Sequence, residues 1–251
     1  MTGVEELSAP YASFMLGPRT GPEVCSRCFD LIGGAAGCYP CAHFGGWVDA
    51  ASPISYSVAG GPLHQALRSY KRLAGPAARF FVVGLAAVVW RHLALHERCL
   101  ARAAGVDGFD VVTTVPSGES ARGARHPLEQ LVGELVGPVR GRYERLLRRT
   151  GAAATPHHFN IHKYEAVREV SDRSVLLVDD TWTTGANVQS AALALKMAGA
   201  ARVAALVIGR YVNRGWGDND QHLRAMPAFD WDACAWCAET DGATRRRQSC
   251  P

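Results

Sequence analysis

The sequence predicts an α/β fold: a doubly wound, mostly parallel sheet preceded by a small cysteine-rich module. Three observations predict it. Short apolar runs rich in β-branched residues recur at 109–115, 174–178 and 202–208, as expected for strands buried in a parallel sheet. Apolar segments with helical spacing lie between them, the alternation of an α/β domain. Two Cys-x-x-Cys pairs stand close together before residue 50.

At 251 residues the chain suits one main domain with an appendage. We divide it into an N-terminal cysteine segment (1–50), an α/β domain (51–211) and a C-terminal extension (212–251). Hydrophobic residues make up 48% and charged residues 20%, the balance of an ordinary globular chain. The net charge of +4 is mild, and Arg245, Arg246 and Arg247 supply much of it, which is poor support for a nucleic-acid surface. The first residues have neither the basic nor the apolar region of a secretory signal, and the apolar run at 80–90 is too short to span a bilayer. The expected location is the cytoplasm, where eight cysteines need a role other than disulfides.

Cys25-x-x-Cys28 and Cys38-x-x-Cys41 flank a stretch holding Gly33, Gly34 and Gly37. Such pairs can bring four thiolates into a tetrahedron around Zn²⁺, and the glycines let the backbone turn between them. The metal would supply folding free energy that so small a segment cannot draw from its own core. Buried thiols or a redox pair are the plainer alternative. His43 suits a surface position better than a ligand. Cys234-x-x-Cys237 resembles half of another metal site: it either completes a mixed site with one N-terminal pair or packs beside Trp231 and Trp236. Cys99 and Cys250 have no partner spacing.

Within 53–74, Leu63, Ala66, Leu67 and Tyr70 recur at helical spacing, and Lys71 and Arg72 fall near the helix end where positive charge is favoured. Residues 76–102 read as a long, largely buried helix ended by Gly105 and Gly108. The strand at 109–115 runs into Pro116-Ser117-Gly118, a turn whose backbone N–H groups suit an anion. Thr114, Val115, Pro116 and Ser117 are candidates there, with Ser117 and Gly118 as donors; an ordinary strand-to-helix turn is the alternative. Arg122 and Arg125 either neutralise that anion or face solvent. The basic residues at 140–150 and the small ones at 151–155 suit a flap closing over a ligand as well as a solvated loop. His157, His158 and His162 lie close together but lack companion cysteines or carboxylates.

The segment 174–187 organises the rest. Its apolar strand ends on Asp179 and Asp180, where open α/β sheets place ligands. Thr181, Trp182, Thr183, Thr184 and Gly185 form a loop, and 186–198 has helical spacing with Gly199 placed to cap it. A loop entering a helix N-terminus turns unpaired N–H groups and the positive end of the dipole toward phosphate. The threonines add hydroxyls, and Gly185 permits the tight turn. Asp179 and Asp180 offer acceptors at a sugar's distance from that phosphate, so a phosphorylated ribose satisfies both halves. A strand ending in acids, as in a nucleotidase or response regulator, is the alternative. A P-loop would need Gly-x-x-x-x-Gly-Lys-Ser/Thr, which the chain lacks.

The run Val-Leu-Leu-Val-Asp-Asp-Thr-Trp-Thr-Thr-Gly-Ala resembles the phosphoribosyl-diphosphate (PRPP) loop of the type I phosphoribosyltransferases. Asn187 stands where many members carry Thr and can still donate to phosphate. The cysteine pairs, Tyr56, Gly60, Leu67, Tyr70-Lys71, Val115-Pro116-Ser117 and Arg122-Gly123 extend the likeness over about 25–210 to the competence protein F (ComF)-like branch. Where that branch usually has Arg-Gly-Phe-Asn-Gln, this chain reads Arg122-Gly123-Ala124-Arg125-His126-Pro127; of a later Gln and Arg-x-x-Asn, Asn160 and Lys163 remain as candidates.

The resemblance implies a type I phosphoribosyltransferase-like fold. It implies transfer of ribose 5-phosphate from PRPP to a base or amine, with pyrophosphate leaving. Asp179 and Asp180 would be the catalytic residues, holding the ribose hydroxyls directly or through Mg²⁺. Thr181, Trp182, Thr183, Thr184, Gly185, Ala186 and Asn187 would hold the 5′-phosphate, and Pro116, Ser117 and Gly118 the pyrophosphate. The acceptor would fall to the cysteine segment, with Zn²⁺ on Cys25, Cys28, Cys38 and Cys41, or to the tail bearing Trp216, Trp231 and Trp236. Two rival roles stand beside catalysis: a PRPP-sensing regulator without turnover, and a DNA-uptake accessory whose zinc module contacts single-stranded DNA or a helicase partner. The modest charge weighs against the second. No membrane partner is expected, and a homo-oligomer is left open. The account fails if both acids are buried in ion pairs or if the turn is too crowded for an anion.

Overall fold

The computed structural model describes residues 2–33, 38–117, 126–152, 155 and 157–237. In chain order its elements are α1 (Thr2–Ala12), α2 (Tyr39–His43), β1 (Ala50–Val58), α3 (Pro62–Arg72), α4 (Gly75–Ala103), β2 (Val111–Thr114) and α5 (Pro127–Gln130). A π-helical turn (Leu131–Leu135) follows, then α6 (Gly137–Arg140), β3 (Leu147–Arg149), β4 (Tyr164–Ala166), β5 (Ser174–Trp182), α7 (Ala186–Met197), β6 (Arg202–Val212) and α8 (Asn219–Ala225).

Four strands make one sheet in the order β1-β6-β5-β2, and every neighbouring pair is parallel. Both faces are covered, which is why the strands read as continuous apolar runs. Leu176 and Val178 of β5, with Ala204, Leu206 and Ile208 of β6, pack into one core with α3 and α4. The alternate residues Val175, Leu177, Val203, Ala205 and Val207 pack with Val188, Ala191 and Leu195 of α7 on the other face. The period-2 alternation of strand side chains divides these two cores. The α/β class, its parallel sheet and the cysteine cluster near the N-terminus are as the sequence predicts.

Helix α4 is long and apolar enough to cross a membrane by length and composition alone. This differs from the expectation drawn from the 80–90 run, because the helix extends well beyond it. Here it is the central helix of one face, with Val82, Leu85, Val88, Val89, Leu93 and Leu100 buried. Its Gly84 allows α1 to approach closely: a Cβ there would lie 2.5 Å from the Tyr11 hydroxyl oxygen.

The segment 53–74, read from sequence for its helical spacing, divides into β1 and α3. Buried Ser52, Ser55 and Ser57 interrupt the hydrophobic pattern of β1, and Pro53 argues against a central strand. The strand lies at the sheet edge, where Pro53 is tolerated. That edge is covered. Ser55 Oγ accepts from Leu16 N (2.9 Å), Tyr56 N donates to Leu16 O (3.1 Å), and Trp236 Nε1 donates to Ala51 O (3.0 Å). The basic stretch at 140–150 contributes β3, which pairs antiparallel with β4. Gly199, at φ 94, follows α7 as expected.

Candidate functional site

Strand β5 delivers Asp179 and Asp180 to the carboxyl edge of the sheet, and the chain then turns through Thr183 and Thr184 into α7. Gly185 is the N-cap at φ 80, a left-handed conformation that favours glycine. A Cβ there would also strike the Trp182 indole at 2.5 Å, so the turn lies directly on that ring. These residues open on a cavity of about 220 Å³. Thr181, Thr183, Thr184, Gly185, Ala186 and Asn187 line it together with both aspartates. Val115, Pro116 and Ser117 at the end of the neighbouring β2 form the opposing wall. Gly118, Arg122 and Arg125 lie outside the described residues.

The two acids differ in their surroundings. Asp180 accepts from Tyr70 Oη at 2.5 Å and is ion-paired with Lys71; both interactions fall on Oδ2. Burial, and then the charge of Asp180, push the Tyr70 hydroxyl well above its usual range, so it stays a donor. Asp179 Oδ1 accepts from Asp180 N at 2.9 Å. Burial first and the Asp180 carboxylate second raise its pKa to about 8, with Lys71 pulling the other way. One acid of the pair is therefore in a buried ion pair, while the second holds a proton near neutrality.

The turn lies open to the cavity. The N-terminus of α7 faces the cavity, and Lys71 and Arg149 bring positive charge to its wall. Thr184 Oγ1 is partly committed, donating to His157 O (3.0 Å) while it accepts from Ala186 N (3.4 Å). Lys163 Nζ donates to Asn187 Oδ1 at 2.5 Å, and burial lowers the Lys163 pKa. Trp182 points away from the cavity into the core beneath the turn, and its Nε1 has no partner among the described residues. Thr114 is buried behind the site, hydrogen-bonded to Tyr143 Oη (3.0 Å). Lys71, His126, Arg149 and Tyr164 also line the cavity, and none of them was assigned a site role from the sequence. The first read as a helix-end charge and Arg149 as part of a basic stretch.

Thr183 and Thr184 also line a second cavity of about 570 Å³. Leu31, Ile32 and Pro40 of the cysteine segment form one side, and Trp216, Asn219 and His222 after β6 form the other. Of the three tail tryptophans expected beside an acceptor, only Trp216 lies here; Trp231 and Trp236 pack against the core instead.

Cys25, Cys28, Cys38 and Cys41 converge, with every pair of sulfurs within 4.8 Å. Cys25 and Cys41 are 3.8 Å apart and Cys28 and Cys38 3.4 Å, close to the edge of about 3.8 Å that Zn–S bonds of about 2.3 Å give a tetrahedron. These residues fit a metal. His43 stacks on Tyr39 at 3.7 Å and takes no part. Gly34 and Gly37 lie outside the described residues. The cluster reaches the acid-bearing turn through buried Arg210 of β6. Its guanidinium donates to Cys28 O (3.0 Å), Trp182 O (3.0 Å) and Thr183 O (2.9 Å), and pairs with Asp30 at 2.7 Å.

No protein-family model and no curated protein matches this chain. Among solved structures, it is similar to a chain described as the allosteric regulatory enzyme of purine biosynthesis, at 23% identity and a TM-score of 0.29. The match covers 48% of this chain and 26% of that one.

Proposed function

We propose that this protein transfers ribose 5-phosphate from PRPP to a base or amine and releases pyrophosphate. The observation that carries the reading is the meeting, at one cavity, of a helix N-terminus fronted by hydroxyls, a buried acid pair and the cations Lys71 and Arg149. The 5′-phosphate takes the turn from Thr183 to Asn187, where N–H groups and the helix dipole favour it. The ribose hydroxyls take Asp179 and Oδ1 of Asp180, since Tyr70 and Lys71 both engage Oδ2. The diphosphate lies toward Val115, Pro116 and Ser117.

The acceptor's lone pair forms the new bond at the anomeric carbon as the bond to the diphosphate oxygen breaks, and that electron pair leaves with pyrophosphate. Positive charge developing on the ribose favours the nearby Asp180 carboxylate, and negative charge on the leaving group favours Lys71 and Arg149. Asp179 and Asp180 would hold Mg²⁺ beside the ribose, and its charge would help neutralise the leaving group. Zn²⁺ on Cys25, Cys28, Cys38 and Cys41 would be structural, since four protein ligands leave no open position. The larger cavity beside Thr183 suits the acceptor, with the Trp216 ring as a stacking face.

The commitment of Asp180 to Tyr70 and Lys71 favours a second reading, a sensor that binds PRPP without turnover. Calorimetry with Mg²⁺ and PRPP should register binding that Asp179→Asn with Asp180→Asn abolishes; unchanged binding in that variant overturns both readings. Pyrophosphate release against a panel of bases and amines separates them, because tight binding without release selects the sensor.

A further inference from the structure

Among the described residues, the cysteines outside the N-terminal cluster form a group of their own. Cys234 and Cys237 lie against the last turns of α4, where His96 and Cys99 stand one turn apart, and the four ligand atoms are all within 4.8 Å of one another. His96 Nδ1 is 3.4 Å from Cys237 Sγ and 3.9 Å from Cys99 Sγ, and the Cys99 and Cys237 sulfurs are 3.8 Å apart. A zinc tetrahedron of three sulfurs and one nitrogen has edges of about 3.8 Å (S–S) and about 3.6 Å (S–N). The Cys234 and Cys237 sulfurs, 3.0 Å apart, are closer than such an edge.

The surroundings are those of a metal site too. His96 Nε2 is 2.7 Å from the backbone carbonyl of Trp231, an arrangement that puts the proton on Nε2 and the Nδ1 lone pair toward the sulfurs. Backbone N–H groups of Trp236 and Cys237 donate to Cys234 Sγ at 3.4 and 3.3 Å, as suits a thiolate. We propose that His96, Cys99, Cys234 and Cys237 form a second structural zinc site, separate from the N-terminal four cysteines. Its ion joins the chain after β6 to the end of α4. Between its two C-terminal ligands, Trp236 is held against the edge of β1 and edge-on to Phe29 at 5.6 Å, next in the chain to Cys28.

Cys99 is disulfide-bonded in this structure. A thiol reductant must therefore act first, giving two electrons and two protons to that bond and becoming a disulfide itself. Zn²⁺ then displaces the three thiol protons.

The test uses the full chain purified with zinc under a dithiol reductant. Elemental analysis should give two zinc ions per chain. X-ray absorption should give about 3.5 sulfurs and 0.5 nitrogen per zinc, the average over seven cysteines and one histidine. Cys234→Ser with Cys237→Ser should leave one zinc in an all-sulfur site. One zinc per unmutated chain with sulfur ligands only, or a Cys234–Cys237 disulfide that persists under the reductant, overturns the proposal. Because the absorption measurement is made on unmutated protein, misfolding of the variant cannot mask the answer.

Discussion

Asp179 shares a water-poor site with a second carboxylate, and the folded chain holds its proton up to about pH 8 instead of the ordinary 3.8. Between those values the unfolded chain has lost this proton and the folded chain keeps it, so the contribution to stability falls as pH rises and levels off above about 8. Asp179→Asn removes this dependence. Its melting temperature should match that of the parent near pH 4 and exceed it at pH 8, by about 2–4 °C for each kcal/mol relieved. Scanning calorimetry at the two pH values checks this, and an equal difference at both would refute it. The aspartates and threonines were legible in the sequence because they are contiguous and end an apolar strand. The contact of Asp180 with Tyr70 and Lys71 was not, because Tyr70 lies 110 residues away and both reach the acid only when α3 packs on the sheet.

At the scale of elements, the turn between β5 and α7 depends on one backbone conformation. Gly185→Ala must hold φ near +80 with its Cβ against the Trp182 ring. We expect a loss of about 1–3 kcal/mol in urea denaturation, together with weaker PRPP binding; a variant with parental stability would show that the turn relaxes freely. The apolar strands β2, β5 and β6 and the helices α4 and α7 were legible because each has a continuous run or a clear period. Strand β1 was hidden by its serines and Pro53, and α1 gave no signal of its own. The small hairpin of β3 and β4 was hidden as well, because its basic residues are spaced like those of a solvated loop. The Cys-x-x-Cys spacing located the N-terminal cluster; the second group joins Cys234 and Cys237 to His96 and Cys99 of α4, with Cys99 lying 138 positions from Cys237, which no local spacing reveals.

Across the whole molecule, Arg210 is the common point. It is 2% exposed and donates to carbonyls of the cysteine segment and of the turn after the acids, with Asp30 as its counter-ion. Arg210→Met leaves these acceptors and Asp30 without it, at an expected cost of ~3 kcal/mol, the low end for a broken buried pair because Asp30 keeps some contact with water. Thermal unfolding of this variant should begin at a lower temperature than that of the parent; a melting curve identical to the parent's would contradict the coupling. It follows that residues 1–50 are no detachable cassette. Cutting the chain before β1 would uncover the Arg210 cation of β6 and remove its counter-ion Asp30, so grafting this N-terminal piece onto another enzyme, or deleting it from this one, should fail unless the arginine goes with it.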